Sequence, residues 1–418
     1  MILKEVLPNG LTLLTESMPH VRSVAVGVWL KRGSRHETPA QSGISHFIEH
    51  MVFKGTKNRS AEVIAAQVDS IGGHMDAFTA KEYASFHLKV LDEHLPLALD
   101  ILGDIVMNPL FDPVEMAKEK KVIFEEMGMV EDTPDDLVME LFAGAFWPRH
   151  PLGRPILGTR GSVDRFERGH LLSFFRRVYH SGNLVVAAAG HLKHEKVSKL
   201  VRRHLGGLAA GNGATNGSRP RPAHGIVTRR KKELEQVHVC LGGPAFPQGH
   251  EDRYVSYVLN TILGGSMSSR LFQNVRERRG LVYSISSGVT AYSDAGNLTI
   301  YAGTSLANVD QVLKLTVEEL RRLKGEPVPA AELRRAKDHL KGSLMLSLEN
   351  TGSRMSHLAR QEIYHGRHFG LDETLRGIEA VEADDMQRVA SGLFRGQMTL
   401  SVLGNLGSYR PRASQVRV

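Results

Sequence analysis

His46 and His50 are four residues apart, with Glu49 between them in His46-Phe47-Ile48-Glu49-His50. On a helix the two imidazoles fall one turn apart on the same face. The order H-x-x-E-H is the inverse of the zinc-binding H-E-x-x-H pattern. Neutral imidazoles suit Zn²⁺, and a catalytic zinc takes three protein ligands and a water. Glu49 is placed to take a proton from such a water, which is the chemistry of metal-assisted hydrolysis.

A third ligand must come from elsewhere. Cys240 is the only cysteine, which rules out internal disulfides and a cysteine-rich metal cluster. It sits in the alternating run Val237-His238-Val239-Cys240-Leu241, where a small core hydrophobe is expected. Carboxylates are available on the helix predicted after Pro113. Stepping 100° per residue from Glu119 puts Glu126 only about 20° away, beside Met116, Ile123 and Val130. Glu125 falls on the opposite face with Lys118 and Lys121, where water solvates it. Glu119 and Glu126 therefore share an apolar face, and a buried carboxylate needs a partner. A zinc ion is one candidate partner and an arginine the other.

The elements around these residues are legible from periodicity. Residues 1–30 read as strands, with Ser23 to Leu30 alternating. The histidine helix follows the loop 38–43 and carries the apolar stripe Ile44, Phe47, Ile48 and Met51, so the candidate ligands stand on an anchored helix. A second helix, 60–71, ends at Gly72-Gly73; two antiparallel strands at 75–79 and 83–90 and a helix at 95–106 come next. After the Gly/Pro-rich loop from His150 to Thr159, a helix reaches Tyr179 and a strand spans 184–190.

The chain has 418 residues, 41% of them hydrophobic, and a formal net charge of +8. Its basic residues are scattered among acids, and no nucleic-acid motif accompanies the clusters at 229–232 and 276–279; a solvated basic surface is expected. No apolar run is long enough to span a membrane. No secretory or import leader is visible, so the expected compartment is cytoplasmic.

Residues 209–224 are a linker by composition. They divide the chain into residues 1–208 and 225–418, and the halves resemble one another. Each has a strand, an amphipathic helix, a proline break and a charged helix, headed by Glu115 in one and Glu332 in the other. With the ungapped offset of 217 between those glutamates, the metal-binding positions fall on Leu263, Ser266, Met267 and Ser343, and all are lost. The expectation is one catalytic copy and one degenerate copy. The glycine loop Leu263 to Phe272 lacks the Gly-Lys-Ser/Thr ending of a phosphate loop and reads as a turn. His365 and His368 have no acidic third partner and are expected not to bind metal.

Taken together, these stretches resemble the insulinase/pitrilysin metallopeptidases, and are similar to the processing-peptidase β subunit and its bacterial relatives. The resemblance covers nearly all the chain. It rests on His46 to Thr56, Gly72-Gly73 with Asp76 to Thr79, Glu119 with Glu125-Glu126, Asp132-Thr133-Pro134, Pro151-Leu152-Gly153 to Gly158-Thr159, and Arg276 to Tyr283. It implies an α+β fold of two homologous domains, each a mostly antiparallel sheet with packed helices. It implies one zinc per chain held by His46, His50 and Glu126, with Glu49 as general base and Glu119 supporting catalysis beside the third ligand. Arg276 and Tyr283 match a pair that reaches the substrate from the C-terminal domain. Ala77 and Phe78 match an edge strand that pairs with peptide. Asp76 departs from the asparagine common at that position and, as a carboxylate, cannot donate a hydrogen bond to a substrate carbonyl.

The expected activity is a zinc-dependent endopeptidase acting on extended or unfolded peptides, enclosed by the two domains and by dimerisation, either as a homodimer or with a related subunit. The alternative is a non-catalytic or scaffold subunit of a processing peptidase. Neither nucleic acid nor membrane is an expected partner.

Overall fold

The computed structural model describes residues 1–211 and 217–418; residues 212–216, inside the expected linker, lie outside the described residues. The described chain forms two compact units: Met1–Met127, Pro155–Gly217 and Ser347–His368 in the first, and Gly128–Arg154, Ser218–Leu346 and Phe369–Val418 in the second.

The first unit is built on six strands: β1 (Ile2–Val6), β2 (Thr12–Ser17), β3 (Ser23–Leu30), β4 (His74–Thr79), β5 (Ala84–Leu91) and β6 (Leu184–Gly190). Their order is β1-β2-β6-β3-β5-β4, and every neighbouring pair is antiparallel except β2–β6. Side chains alternate across this sheet, as a period of two requires. Val24, Val26, Val28 and Leu30 of β3 enter a large core with Leu184, Val186 and Ala188 of β6. Helices α1 (Ile44–Met51), α2 (Ala61–Ser70), α3 (Leu95–Met107), α7 (Arg168–Val178) and α8 (His194–Leu205) contribute to that core. Helix α4 (Pro113–Asp132) follows α3, and the short α6 (Arg160–Asp164) precedes α7.

The opposite face presents Ala25, Trp29, Val185, Ala187 and Ala189. It is covered by α12 (Thr351–His365), which comes from the C-terminal half of the chain and packs Met355, Leu358 and Ala359 on it. Ion pairs from Lys4 to Glu362 and from Arg354 to Glu16 tie the helix to β1 and β2. Gly27 makes the close approach feasible, because a Cβ there would meet the Met355 sulfur at 3.2 Å and the His87 Cβ at 2.9 Å.

The second unit repeats the plan. Strands β7 (Ile226–Arg230), β8 (Val237–Ala245), β9 (Val282–Ala291), β10 (Gly296–Thr304) and β11 (Thr399–Gly404) run in the order β7-β11-β8-β10-β9, with only β7–β11 parallel. Helices α9 (Arg253–Leu263), α10 (Val309–Gly325), α11 (Ala330–Ser347), α13 (Leu371–Glu379) and α14 (Ala383–Leu393) line one core. The other face takes α5 (Pro134–Phe146), from the N-terminal half, whose Leu137, Val138, Phe142 and Phe146 pack with Cys240 and Leu403. Here Gly242 admits the helix: a Cβ would lie 2.4 Å from Phe142. The α+β class and the mostly antiparallel sheets match the sequence expectation. Periodicity did not reveal that each compact unit takes one helix from the other half of the chain. An amphipathic helix shows that it has an apolar face but not which sheet receives it.

Candidate metal centre

Helix α1 has eight residues, and Ile44, Ser45, Phe47, Ile48 and Met51 are its buried side. That anchorage turns His46, Glu49 and His50 toward α4 and β4. On α4, Met116, Glu119 and Ile123 are buried, Glu126 is half-buried and Glu125 is exposed, as the helix-face argument expects.

His46, His50 and Glu126 converge as a group whose ligand atoms all lie within 4.8 Å of one another. The Nε2 atoms of His46 and His50 are 3.6 Å and 3.5 Å from the two Glu126 oxygens. These separations exceed ordinary hydrogen bonds. They match the spacing of roughly 3.4 Å between tetrahedral ligands that each lie about 2.1 Å from zinc. Glu126 Oε2 is buried without a hydrogen-bond partner. The residues present therefore fit a zinc ion. No other such group occurs among the described residues, and His365 and His368 belong to none.

Burial, then the neighbouring His50, pushes the His46 imidazole down to about 3, so it is neutral and free to act as a ligand at neutral pH. Burial raises the Glu49 carboxyl above its ordinary range, while the Thr79 hydroxyl, donating to Glu49 Oε2, opposes part of that rise. Glu119 does not join the three ligands. Its Oε2 accepts from His50 Nδ1 at 3.0 Å, and its Oε1 pairs with Lys54 Nζ at 2.7 Å. This is the carboxylate–histidine arrangement that leaves Nε2 for a metal.

A groove of about 420 Å³ adjoins the group, lined among others by Glu49, Phe53, Met75, Asp76, Ala77 and Val122. One wall is β4, the free edge of its sheet. Ala77 lines the groove, whereas the Phe78 ring turns to the other face, edge-on to Trp29 at 5.6 Å. Asp76 Oδ1 accepts from the Ala77 backbone N–H. In the second unit, Arg276 lies in the π-helical turn Phe272–Glu277 with its guanidinium over Phe272, and Tyr283 on β9 is 76% exposed.

Sequence reasoning missed Thr79 and Lys54. Both had a signal: Thr79 shares its strand face with Met75 and Ala77, and Lys54 follows His50 by one helical turn. It also misplaced the counterpart of the motif. The ungapped offset put Ser266 and Met267 on that position, but both lie beyond the end of α9. On α9, Asn260 Oδ1 accepts from Ser287 on β9, a strand-to-helix bond of the same kind as the one Glu49 accepts from Thr79 on β4. Helix α9 contains no His, Asp or Glu, so it carries none of the residue types that the first unit brings together.

The fold and the convergent His-His-Glu group define a metallopeptidase class, and the comparisons agree. Residues 12–160 match the model of the insulinase family (peptidase family M16), and residues 165–340 match that of the peptidase M16 inactive domain. The chain is 43% identical to an uncharacterized zinc protease, YmxG, of Bacillus subtilis, over 98% of this chain and 99% of that protein. It is 41% identical to an uncharacterized zinc protease of Streptomyces coelicolor, over 96% of this chain and 89% of the other. A protease from Helicobacter pylori shares the fold with a TM-score of 0.90 at 22% identity, covering 97% of this chain and 99% of that one. A Pseudomonas fluorescens structure described as a peptidase M16 inactive domain does so at 0.91 and 20% identity, covering 98% and 100%. The chain belongs to the insulinase/pitrilysin family of zinc metallopeptidases. Among the described residues no helix is long and apolar enough to cross a membrane.

Proposed function

We propose that this protein is a zinc-dependent endopeptidase that cleaves extended peptides, with one zinc held by His46, His50 and Glu126. The observation that carries the reading is the convergence of those three side chains beside Glu49 and a free sheet edge. Zinc, when bound there, supplies a Lewis acid that polarises a carbonyl and lowers the pKa of water.

The chain's own residues do the rest. The free edge of β4 offers unpaired backbone groups to an extended peptide, which holds the middle of a substrate rather than its end. Glu49 takes the proton of the attacking water and passes it to the leaving amine. Its burial raises its basicity, and Thr79 holds one carboxylate oxygen so that the other faces the reaction. Glu119 orients His50. Arg276 and Tyr283 are assigned the substrate and its developing oxyanion on the resemblance of residues 276–283 to the family. A dimer, of this chain alone or with a related subunit, belongs to the same reading, and a solution mass tests it.

Peptide cleavage by the Glu49→Gln variant is the direct test: zinc content stays and turnover is almost lost. Full activity in that variant refutes the mechanism. The second reading, a non-catalytic subunit, is favoured by the match of residues 165–340 to an inactive domain. It predicts purified protein without cleavage activity on any peptide library, even when zinc is bound.

A further inference from the structure

Helix α1 begins without a cap of its own. Gly43 precedes it at φ +95°, a conformation that favours glycine, and offers no side chain to the first free N–H groups. A Cβ at Gly43 would also meet the Leu157 carbonyl oxygen at 2.6 Å. The missing acceptor comes from Glu37, which is 4% exposed. Its Oε2 accepts from Gly43 N at 2.9 Å and its Oε1 from Ser45 N at 2.8 Å. A carboxylate there also complements the positive end of the helix. His46 is the next residue.

The segment 34–37 also grips the strand hairpin on the other side of the groove. Arg35, 4% exposed, pairs with the buried Glu82 at 2.6 Å. Ser34 N and Arg35 N donate to Ala80 O and Lys81 O in the turn between β4 and β5. Residue 79, immediately before that turn, is the threonine that holds Glu49. Residues 34–37 thus bridge the end of the edge strand and the start of the histidine helix.

We propose that Glu37 is a positioning residue for the metal centre: its bidentate grip on the start of α1 sets His46, Glu49 and His50 against β4. The inference rests on the zinc reading above and deepens it. A short helix has little of its own to hold its axial position, and ligand geometry tolerates displacements of only about 0.5 Å. In Glu37→Gln the side chain keeps its volume. One oxygen still accepts, but the amide NH₂ faces the other N–H, and the start of α1 must shift.

The test compares Glu37→Gln with wild type and with Asp252→Asn, which removes a buried carboxylate that takes two guanidinium bonds from Arg388 in the second unit. The readouts are the zinc dissociation constant, from competition with a chromophoric chelator, and the visible spectrum of the cobalt-substituted protein. The expected result is zinc binding weakened about 10–100-fold in Glu37→Gln, the range of residues that orient metal ligands, with altered cobalt bands. Asp252→Asn keeps zinc affinity and spectrum, whatever its thermal stability. Unchanged zinc affinity and cobalt spectrum in Glu37→Gln overturn the proposal, as does an equal loss of affinity in Asp252→Asn. If Glu37→Gln does not fold, Glu37→Asp, which keeps the charge on a shorter arm, is read the same way and by the same criteria. Wild-type protein that binds no zinc refutes the zinc reading and this inference together. Wild type that binds zinc beside a variant that binds it equally well refutes this inference alone.

Discussion

His50 Nδ1 and Glu119 Oε2 are 3.0 Å apart, and the other oxygen of Glu119 is held by Lys54. Glu119 is only 4% exposed, and each of its carboxylate oxygens has one of those partners. The pairing fixes the tautomer of His50 and leaves Nε2 for the metal. Replacing Glu119 with Gln is therefore expected to weaken zinc binding by about 10–100-fold while all three ligands remain. Chelator competition measures this; wild-type affinity in the variant would show that His50 needs no such partner.

The two adjacent glutamates of α4 should separate cleanly. Glu126→Gln is expected to lose stoichiometric zinc, because it removes one of three ligands. Glu125→Gln, altering an exposed side chain, is expected to retain it. Metal analysis of the two purified variants decides, and the opposite pattern would refute the ligand assignment.

Helix exchange depends on two glycines. Gly27→Val adds atoms where a Cβ alone already meets His87 and Met355, and Gly242→Val does so against Phe142. Each is expected to cost about 1–3 kcal/mol or more through overpacking. Denaturant unfolding measures the loss. Stability equal to wild type in both would mean that the exchanged helices are loosely seated.

Acid should loosen α12. Burial, then His368, Arg360 and Arg354, lowers the His357 imidazole to about 4, against an ordinary value near 6.5. The unfolded chain then takes the proton before the folded one does. Stability falls as pH drops from about 6.5 to about 4, and this group adds no further slope below that. Thermal unfolding across that window should be flatter in His357→Gln than in wild type; identical slopes would remove His357 as the cause.

Much of this was legible in the sequence, for identifiable reasons. The histidine helix, the strands at 74–79 and 84–91, and the choice of Glu126 over Glu125 all follow from local periodicity, which one chain segment carries by itself. What escaped was nonlocal. Glu37 reaches α1 across a loop with no repeating spacing, and the partner of Glu119, expected only as a residue beside the third ligand, is a histidine far away in sequence. The internal repeat was visible, but the single offset of 217 carried Glu49 and His50 to Ser266 and Met267, beyond the end of α9. A hydroxyl of the edge strand also bonds to a helix in the second unit, where Ser287 donates to Asn260.

The origin of α12 has a consequence for the order in which the first unit is completed during synthesis. The second face of the sheet that carries the histidine helix is covered, among the described residues, by α12 (residues 351–365). A nascent chain ending at the linker contains His46, His50 and Glu126 but leaves Ala25, Trp29, Val185, Ala187 and Ala189 without their partner helix. A chain ending at the linker therefore leaves that apolar face uncovered, and the sheet behind the histidine helix is complete only once residues 351–365 have been made.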